Sequence, residues 1–334
     1  MSIQQIVAPE AIEAKLKEIW EKLAKENKMR ACLFNLIVFN RYSARTDYIR
    51  NIVQKVIEKF PCRVLFISED PDAHEPYLKT AVSVVMASEK ETTIACDHID
   101  IGVAGSELER APFVLLPHLL PDLPITLLWT EDPSVPHPLF DPLTNFAHRV
   151  IFDSESADDL HKFSKTVLAL NKRGRDIADL NWARIEGWRD LLASLFYTSE
   201  RLAELQNVKE FEIVYNARPT EFFCHLKIQS VYLLTWLKQR LKWKVEPAIH
   251  SKKWEKLGPG TIISLRLLTK NEEVFECARI PERPHCVCIQ ISSPKQCELP
   301  YQYLLGQTAA GQSLVKEICM KGTSSHYLEM LKGL

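Results

Sequence analysis

The sequence predicts an α/β first domain built on a mixed sheet, joined by a long helix to an α+β second domain. Three observations carry that prediction. Residues 31–39 and 62–67 are nearly continuous apolar runs around one amphipathic stretch, the pattern of strands covered on both faces with a crossover helix between them. From Phe211 onward, strand-like runs follow one another with short connections, which implies antiparallel pairing. Between the two blocks, Ile185, Trp188, Leu192 and Leu195 fall at helical spacing, with Leu191 and Phe196 widening the stripe. The expected division is residues 1–178, a linking helix at 179–197, and residues 198–334.

In the first block, residues 10–27 form a helix whose stripe is Ile12, Leu16, Ile19 and Leu23, with Glu18–Lys22 and Glu21–Lys25 at supportive i,i+4 spacing. The strand at 31–39 is broken only by Asn35. Ser43 or Thr46 is the expected cap of the next helix, whose Ile49, Ile52, Val53, Val56, Ile57 and Phe60 face inward. The strand at 62–67 completes a βαβ unit with a right-handed crossover, so the block reads as Rossmann-like. Residues 80–87 and 92–103 are strands separated only by 88–91, too few for a helix, so this step is a hairpin and the sheet of about six strands is mixed. Ser106 and Glu109 have capping-box spacing for a helix to about Leu119, which Pro121 and Pro124 end before a strand at 125–129. A proline-rich loop at 133–142, a helix at 139–148 and a strand at 149–152 come next. Ser156 with Asp159 then opens a helix through Leu170, stopped by Gly174.

In the second block, a strand at 211–216 precedes a helix capped by Thr220 and running to about Leu241, with Phe223, Leu226, Ile228, Leu233, Leu234 and Leu237 in its stripe. Strands are expected at 243–249, 261–269, 273–280 and 286–291, and helices at 308–320 and 325–332.

Composition narrows the function. The chain is 46% apolar and 25% charged, with a net charge of −1, so no whole-chain field draws it to nucleic acid or to an anionic membrane. No apolar run approaches the roughly 20 residues that span a bilayer, and Met1 to Glu10 lacks the pattern of a signal peptide. Nine scattered cysteines, an odd number, fit a reducing compartment. The expectation is a cytoplasmic protein.

Only two of the ten glycines, Gly102 and Gly105, lie in the first 150 residues. A nucleotide-type fold here lacks the glycines that let backbone approach a phosphate. There is no G-x-G-x-x-G and no G-x-x-x-x-G-K-[ST], so no dinucleotide or triphosphate cofactor is expected. Nor does H-E-x-x-H or G-x-S-x-G occur. His285-Cys286-Val-Cys288, with Cys297 beyond, has the wrong spacing for zinc, and Cys286 and Cys288 simply share a strand face, so no metal is expected. Asp97-His98-Ile-Asp100 is an acid–base candidate, set against polar decoration at a strand end. The Ser106 helix start is a candidate anion site of the kind any helix start offers. Seven basic residues between Lys238 and Lys256, interleaved with Trp236, Trp243 and Trp254, read first as a solvated surface; a protein, anionic-metabolite or nucleic-acid contact is the alternative.

Three segments together resemble one family. Leu119-Leu-Pro-Asp-Leu-Pro-Ile-Thr-Leu-Leu-Trp129 is similar to its P-D-L-P-hydrophobic run ending in a tryptophan pair, His148-Arg-Val-Ile-Phe-Asp-Ser154 to its D-R-x-I-x-D-S, and Asp179-Leu-Asn-Trp-Ala-Arg-Ile-Glu-Gly-Trp-Arg189 to its D-L-x-W-x-R-L-x-P-W-R. The family is OpcA, the glucose-6-phosphate dehydrogenase assembly proteins or subunits. The motif residues carried over are Asp122, Pro124, Arg149, Asp153, Ser154 and Asp179. Leu128 stands where the family has the first Trp of the pair, and Gly187 where it has Pro. The resemblance implies a non-catalytic protein that binds glucose-6-phosphate dehydrogenase and promotes its assembly or allosteric activation in the oxidative pentose phosphate pathway. Trp and Arg dominate binding hot spots, so Trp129, Trp182, Arg184, Trp188 and Arg189 are the candidate partner contacts. The competing account has Trp182 and Trp188 wedging the domains together while the arginines pair with Asp153 or Asp179. The functional rivals are a phosphosugar-binding enzyme or sensor and a redox adaptor using Cys286, Cys288 or Cys297.

Overall fold

The computed structural model describes residues 4–86, 94–220, 225–306 and 311–334. The chain divides into two compact units, one of Met1–Leu180 with Ala309–Thr323 and one of Asn181–Thr308 with Ser324–Leu334.

The first unit runs β1 (Gln5–Val7), α1 (Ile12–Ala24), β2 (Met29–Arg30), β3 (Asn35–Arg41), α2 (Thr46–Ile57), β4 (Arg63–Glu69), β5 (Tyr77–Met86), β6 (Ile94–Ala104), α3 (Ala111–Leu115), β7 (Ile125–Trp129), α4 (Phe140–Phe146), β8 (Arg149–Phe152), α5 (Leu160–Lys172) and β9 (Asp176–Asp179). Its described strands form one sheet in the order β1-β5-β6-β4-β3-β7-β8-β9, with β2 added to β6. From β6 to β9 every neighbouring pair is parallel, whereas β5 is antiparallel to both β6 and β1. Counting only the parallel strands in chain order, the sequence across the sheet is 3-2-1-4-5-6, the doubly wound arrangement, with its reversal between β3 and β7.

The apolar runs are continuous because both sheet faces are covered. Leu36, Val38, Val64 and Phe66 pack with Ile49, Ile52, Val53 and Val56 of α2, and Leu128, Ile151 and Ala178 extend that core. Leu314, on the helix Gln312–Cys319, closes the same cluster from the far end of the chain. On the opposite face Phe152 meets Phe163 of α5 edge-on, with ring centroids 5.9 Å apart. Each such buried side chain contributes roughly 1.5–3 kcal/mol.

The mixed sheet and its β5–β6 hairpin are as expected; the expected connection at 88–91 lies outside the described residues. Four local expectations give way. Among the described residues the sheet has nine strands rather than six, because β1, β2 and β9 are too short to show a period. Ser106 and Glu109 form no capping box: a 3-10 segment, Gly105–Arg110, begins at Gly105 with φ +57°, and Pro112 and Pro117 cut the residues after it into short turns. Nor do Ser43 and Thr46 cap α2. Its N-cap is Arg45, and the Thr46 hydroxyl instead accepts from Ser43 N and Asn40 Nδ2. Asp159, unlike Ser156, is the cap of α5, accepting from the N–H groups of His161 and Lys162.

The stretch expected as one linking helix is a strand and two helices. Residues 176–179 complete the first unit's sheet as β9, and Leu180–Arg184 (α6) and Glu186–Leu195 (α7) come after it, separated at Ile185. The second unit continues with α8 (Ser199–Gln206), β10 (Val208–Asn216), α9 (Ile228–Leu241), β11 (Ala248–Lys252), β12 (Ile262–Thr269), β13 (Val274–Ile280), β14 (Arg283–Ser292), β15 (Tyr301–Leu304) and the helix Ser325–Leu331. The sheet order is β11-β10-β12-β13-β14-β15. All of its pairs are antiparallel except β10–β11, which is parallel. The strand expected at 243–249 begins only at Ala248: Lys242 takes a left-handed φ of +52° to end α9, and Trp243 donates its indole N–H to Leu205 O instead. Thr220 lies well before the first turn of α9, and Phe223 falls outside the described residues.

Candidate functional site

In a doubly wound sheet ligands bind outside the carboxyl ends of the strands, at the reversal point. Here that point lies between β3 and β7, and the chain's own side chains occupy it. Trp129, at the end of β7, is fully buried, with its ring stacked on Phe39 of β3 at 4.2 Å and 15°. Phe140 and His137 pack against the same indole with centroids 4.9 and 5.4 Å away. The turn after β3, where a cofactor fold places its glycines, reads Tyr42-Ser43-Ala44-Arg45.

Two charged groups seal this edge. Arg45 reaches across from the start of α2 and its guanidinium donates to Asp153, whose side chain is fully buried after β8. Burial alone would lower the Arg45 pKa, but Asp153 and Glu155 outweigh it and hold the value above its usual level. Ser154 donates to Asp179 at 3.0 Å, tying the ends of β8 and β9 together. Glu69, ending β4, occupies the place from which a dinucleotide fold's acid reaches ribose. It accepts from Arg41 Nε and His137 Nε2, each at 3.1 Å. Because His137 Nδ1 accepts from Leu139 N, its proton sits on Nε2 and is donated to Glu69. Burial pulls the Glu69 carboxyl upward, yet the bonds from His137 and Arg41 prevail and hold it below the ordinary range.

The remaining motif residues have structural roles. Asp122 takes a φ of +64° in the turn before β7, and Pro124 O accepts from Asn35 N. Arg149, at the start of β8, donates to Glu317 and to Gly322 O at 2.8 Å each, fastening the returning segment 309–323 to the first unit.

Of the expected contact residues, Trp129, Trp182 and Trp188 are buried, while Arg184 and Arg189 keep partial exposure. Within the second unit, the Arg189 guanidinium lies 3.6 Å from the Trp182 ring centroid and donates to Trp182 O, while Arg184 donates to Asn181 Oδ1 at 2.9 Å. Trp182 also packs on Tyr327 with centroids 5.7 Å apart. A Cβ at Gly187 would stand 3.3 Å from Leu305, so α7 approaches the chain there more closely than most side chains allow.

Strand alternation takes apart the Asp97-His98-Ile-Asp100 candidate. Asp97 accepts from Arg63, Arg30 and Trp20 on one face, and Arg63 also donates to Glu13 and to His118 O. His98 and Asp100 face the other way, 3.5 Å apart, with Arg50 2.7 Å from the Asp100 carboxylate. Burial lowers the His98 pKa against the pull of Asp100. Among the described residues no group of three His, Cys, Asp or Glu side chains is placed to hold a metal. Cys286 is buried, Cys288 half-buried and Cys297 exposed. No helix of the described residues is long and apolar enough to cross a membrane.

The fold and this edge define a doubly wound protein with buried aromatic and charged side chains at its strand-order reversal, carrying a second α+β unit. Two family models match it, one described as the glucose-6-phosphate dehydrogenase subunit N-terminal domain over residues 53–169 and one as the C-terminal domain over residues 175–330. The chain belongs to this family. A relative from Synechocystis sp., OpcA, named for the OxPP cycle, is 26% identical over 195 residues, covering 58% of this chain and 39% of its own length. Its namesake in Nostoc punctiforme is 28% identical over 201 residues, with 58% and 40% covered. The chain thus matches less than half the length of these relatives. Solved structures also align: an aldose–aldose oxidoreductase from Caulobacter crescentus at 10% identity and TM-score 0.47, and the 3-ketoreductase KijD10 from Actinomadura kijaniata at 8% and 0.49. Each covers 90% of this chain, and 95% and 94% of its own.

Proposed function

We propose that this chain is a non-catalytic partner of glucose-6-phosphate dehydrogenase, one that binds the enzyme and promotes its assembly or activity. The observation that carries the reading is the sealed carboxyl edge. Arg45–Asp153, Arg41–Glu69–His137 and the Trp129 stack lie at the strand-order reversal where a doubly wound fold binds a dinucleotide, and the turn after β3 has no glycine. The family's description as a glucose-6-phosphate dehydrogenase subunit supports this choice of partner. A binding protein shifts an enzyme only by preferring its active conformation or oligomer, and a tenfold preference corresponds to about 1.4 kcal/mol. The three buried tryptophans act through packing. The partly exposed Arg184 and Arg189 are the members of the expected set that a partner reaches.

The test is a kinetic titration of the dehydrogenase from the same organism with purified chain, at fixed subsaturating substrate. Saturable activation, with no NADP reduction by the chain alone, supports the reading. Turnover by the chain alone, or an enzyme indifferent to it, refutes it.

A further inference from the structure

Beside the sealed edge lies an open cleft of about 470 Å³, and we propose that it binds a small polyhydroxylated ligand carrying one anionic substituent, of the sugar-phosphate class. It sits where β4 and β6 end against the antiparallel strand β5, on the sheet face that α2 covers. Its volume is at the lower end of the roughly 300–1,000 Å³ typical of small-molecule sites.

The chemistry of the walls selects the ligand. Tyr42 and Tyr77 offer flat apolar faces beside polar groups, namely Ser68, Asp70 and Asp100. Asp100 is already fixed, with Arg50 2.7 Å away and Gln4 Nε2 donating at 3.0 Å. Arg50 in turn lies over the Phe66 ring at 4.2 Å. These groups are held in place before any ligand arrives. Asp70 accepts from the Tyr77 hydroxyl at 3.1 Å and has further lone pairs for ligand hydroxyls. Lys79 differs from Arg50: its ammonium rests over the Tyr77 ring at 4.6 Å, and among the described residues no carboxylate lies within ion-pair distance of it. It is the cation available to an anionic substituent. The floor is Gly102, one of the two glycines of the first 150 residues. A Cβ there would sit 3.5 Å from the Tyr77 ring, taking up space the ligand needs.

A wholly apolar ligand would displace water from the remaining lone pairs of Asp70 and Asp100 and offer nothing in exchange. A nucleoside phosphate would need close backbone approach, which a glycine-poor edge does not give. A polyol with one anion answers hydroxyl acceptors, aromatic faces and Lys79 together.

The inference stands apart from the dehydrogenase reading, since it is tested on the full chain alone. Calorimetric titrations compare glucose 6-phosphate, 6-phosphogluconate and ribulose 5-phosphate with glucose and with inorganic phosphate. At least one sugar phosphate is expected to bind, with glucose and inorganic phosphate each at least roughly tenfold weaker. Lys79→Ala and Asp70→Asn, both at accessible positions, are expected to weaken that binding roughly tenfold or more while leaving the melting temperature of the free chain unchanged. Gly102→Val, which fills the floor, is expected to abolish it. Three results each overturn the proposal: no binding of any sugar phosphate up to about 10 mM, inorganic phosphate binding as tightly as the sugar phosphates, or wild-type affinity in Lys79→Ala.

Discussion

Replacing Arg45 by Met is the perturbation that most directly probes the sealed edge. The Asp153 side chain is fully buried and Arg45 nearly so, and the two are joined by a hydrogen bond between charged groups. Removing one member of such a pair leaves the other charge with less compensation in a poor dielectric, at a cost of about 3–5 kcal/mol. For a unit of this size, each kcal/mol lowers the melting temperature by roughly 2–4 °C, so the expected loss is roughly 6–20 °C. The assay is calorimetry with urea unfolding on the full chain, run as a double-mutant cycle with Asp153→Asn. Asparagine keeps the shape but removes the charge, so a coupling energy of about 1–3 kcal/mol is expected between the two sites. A loss below about 1 kcal/mol in Arg45→Met, or coupling near zero, would refute the claim that this pair closes the crevice.

Other outcomes rest on the same geometry. Glu69 is held below its usual pKa in the folded chain, so its contribution to stability is complete above the unfolded value of 4.5 and fades as pH falls through the folded one; Glu69→Gln should flatten that acid limb in urea midpoints. His98 is likewise depressed, so stability should fall as pH drops below its unfolded value of 6.5, and His98→Gln should remove that slope. Burial pushes the thiols of Cys96 and Cys277 up to about 11 and 12, and Cys62 well above its usual value. Exposed Cys297 should therefore react with a thiol reagent at pH 8 long before these three, which should react only on unfolding. Gly311 has φ +87°, and a Cβ there would stand 2.5 Å from Lys55 Cβ, so Gly311→Ala should destabilise the first unit by about 1–3 kcal/mol in denaturant titrations, loosening the helix Gln312–Cys319 from α2.

The parallel core was legible because double burial writes itself as unbroken apolar runs: β3, β4, β7 and β8 all lie where those runs do. The strand β9 was not, since four residues carry no period and its Asp179 looks like a helix cap. The edge strand β15 escaped for the same reason, with Tyr301, Gln302 and Leu304 all exposed. That the turn after β3 carries no glycine was also readable, since only two glycines fall in the first 150 residues. The groups that stand in its place were not readable. Arg45 and Asp153 are 108 residues apart, and nothing local to either marks the other as its partner. The cleft around Lys79 escaped because it is assembled from β1, β4, β5, β6 and α2, each contributing only a few side chains. The sequence left the motif tryptophans open between a contact surface and packing, because large aromatic residues serve both; Trp129, Trp182 and Trp188 are buried.

The central claim is that the chain joins a dehydrogenase rather than acting as one, and sedimentation velocity of the two purified proteins tests it most directly. A discrete faster-sedimenting complex, whose population saturates with added chain, is expected. Arg184→Ala is expected to weaken the complex by roughly tenfold while the melting temperature of the free chain holds. Independent sedimentation of the two proteins at concentrations of about 10 µM would contradict it.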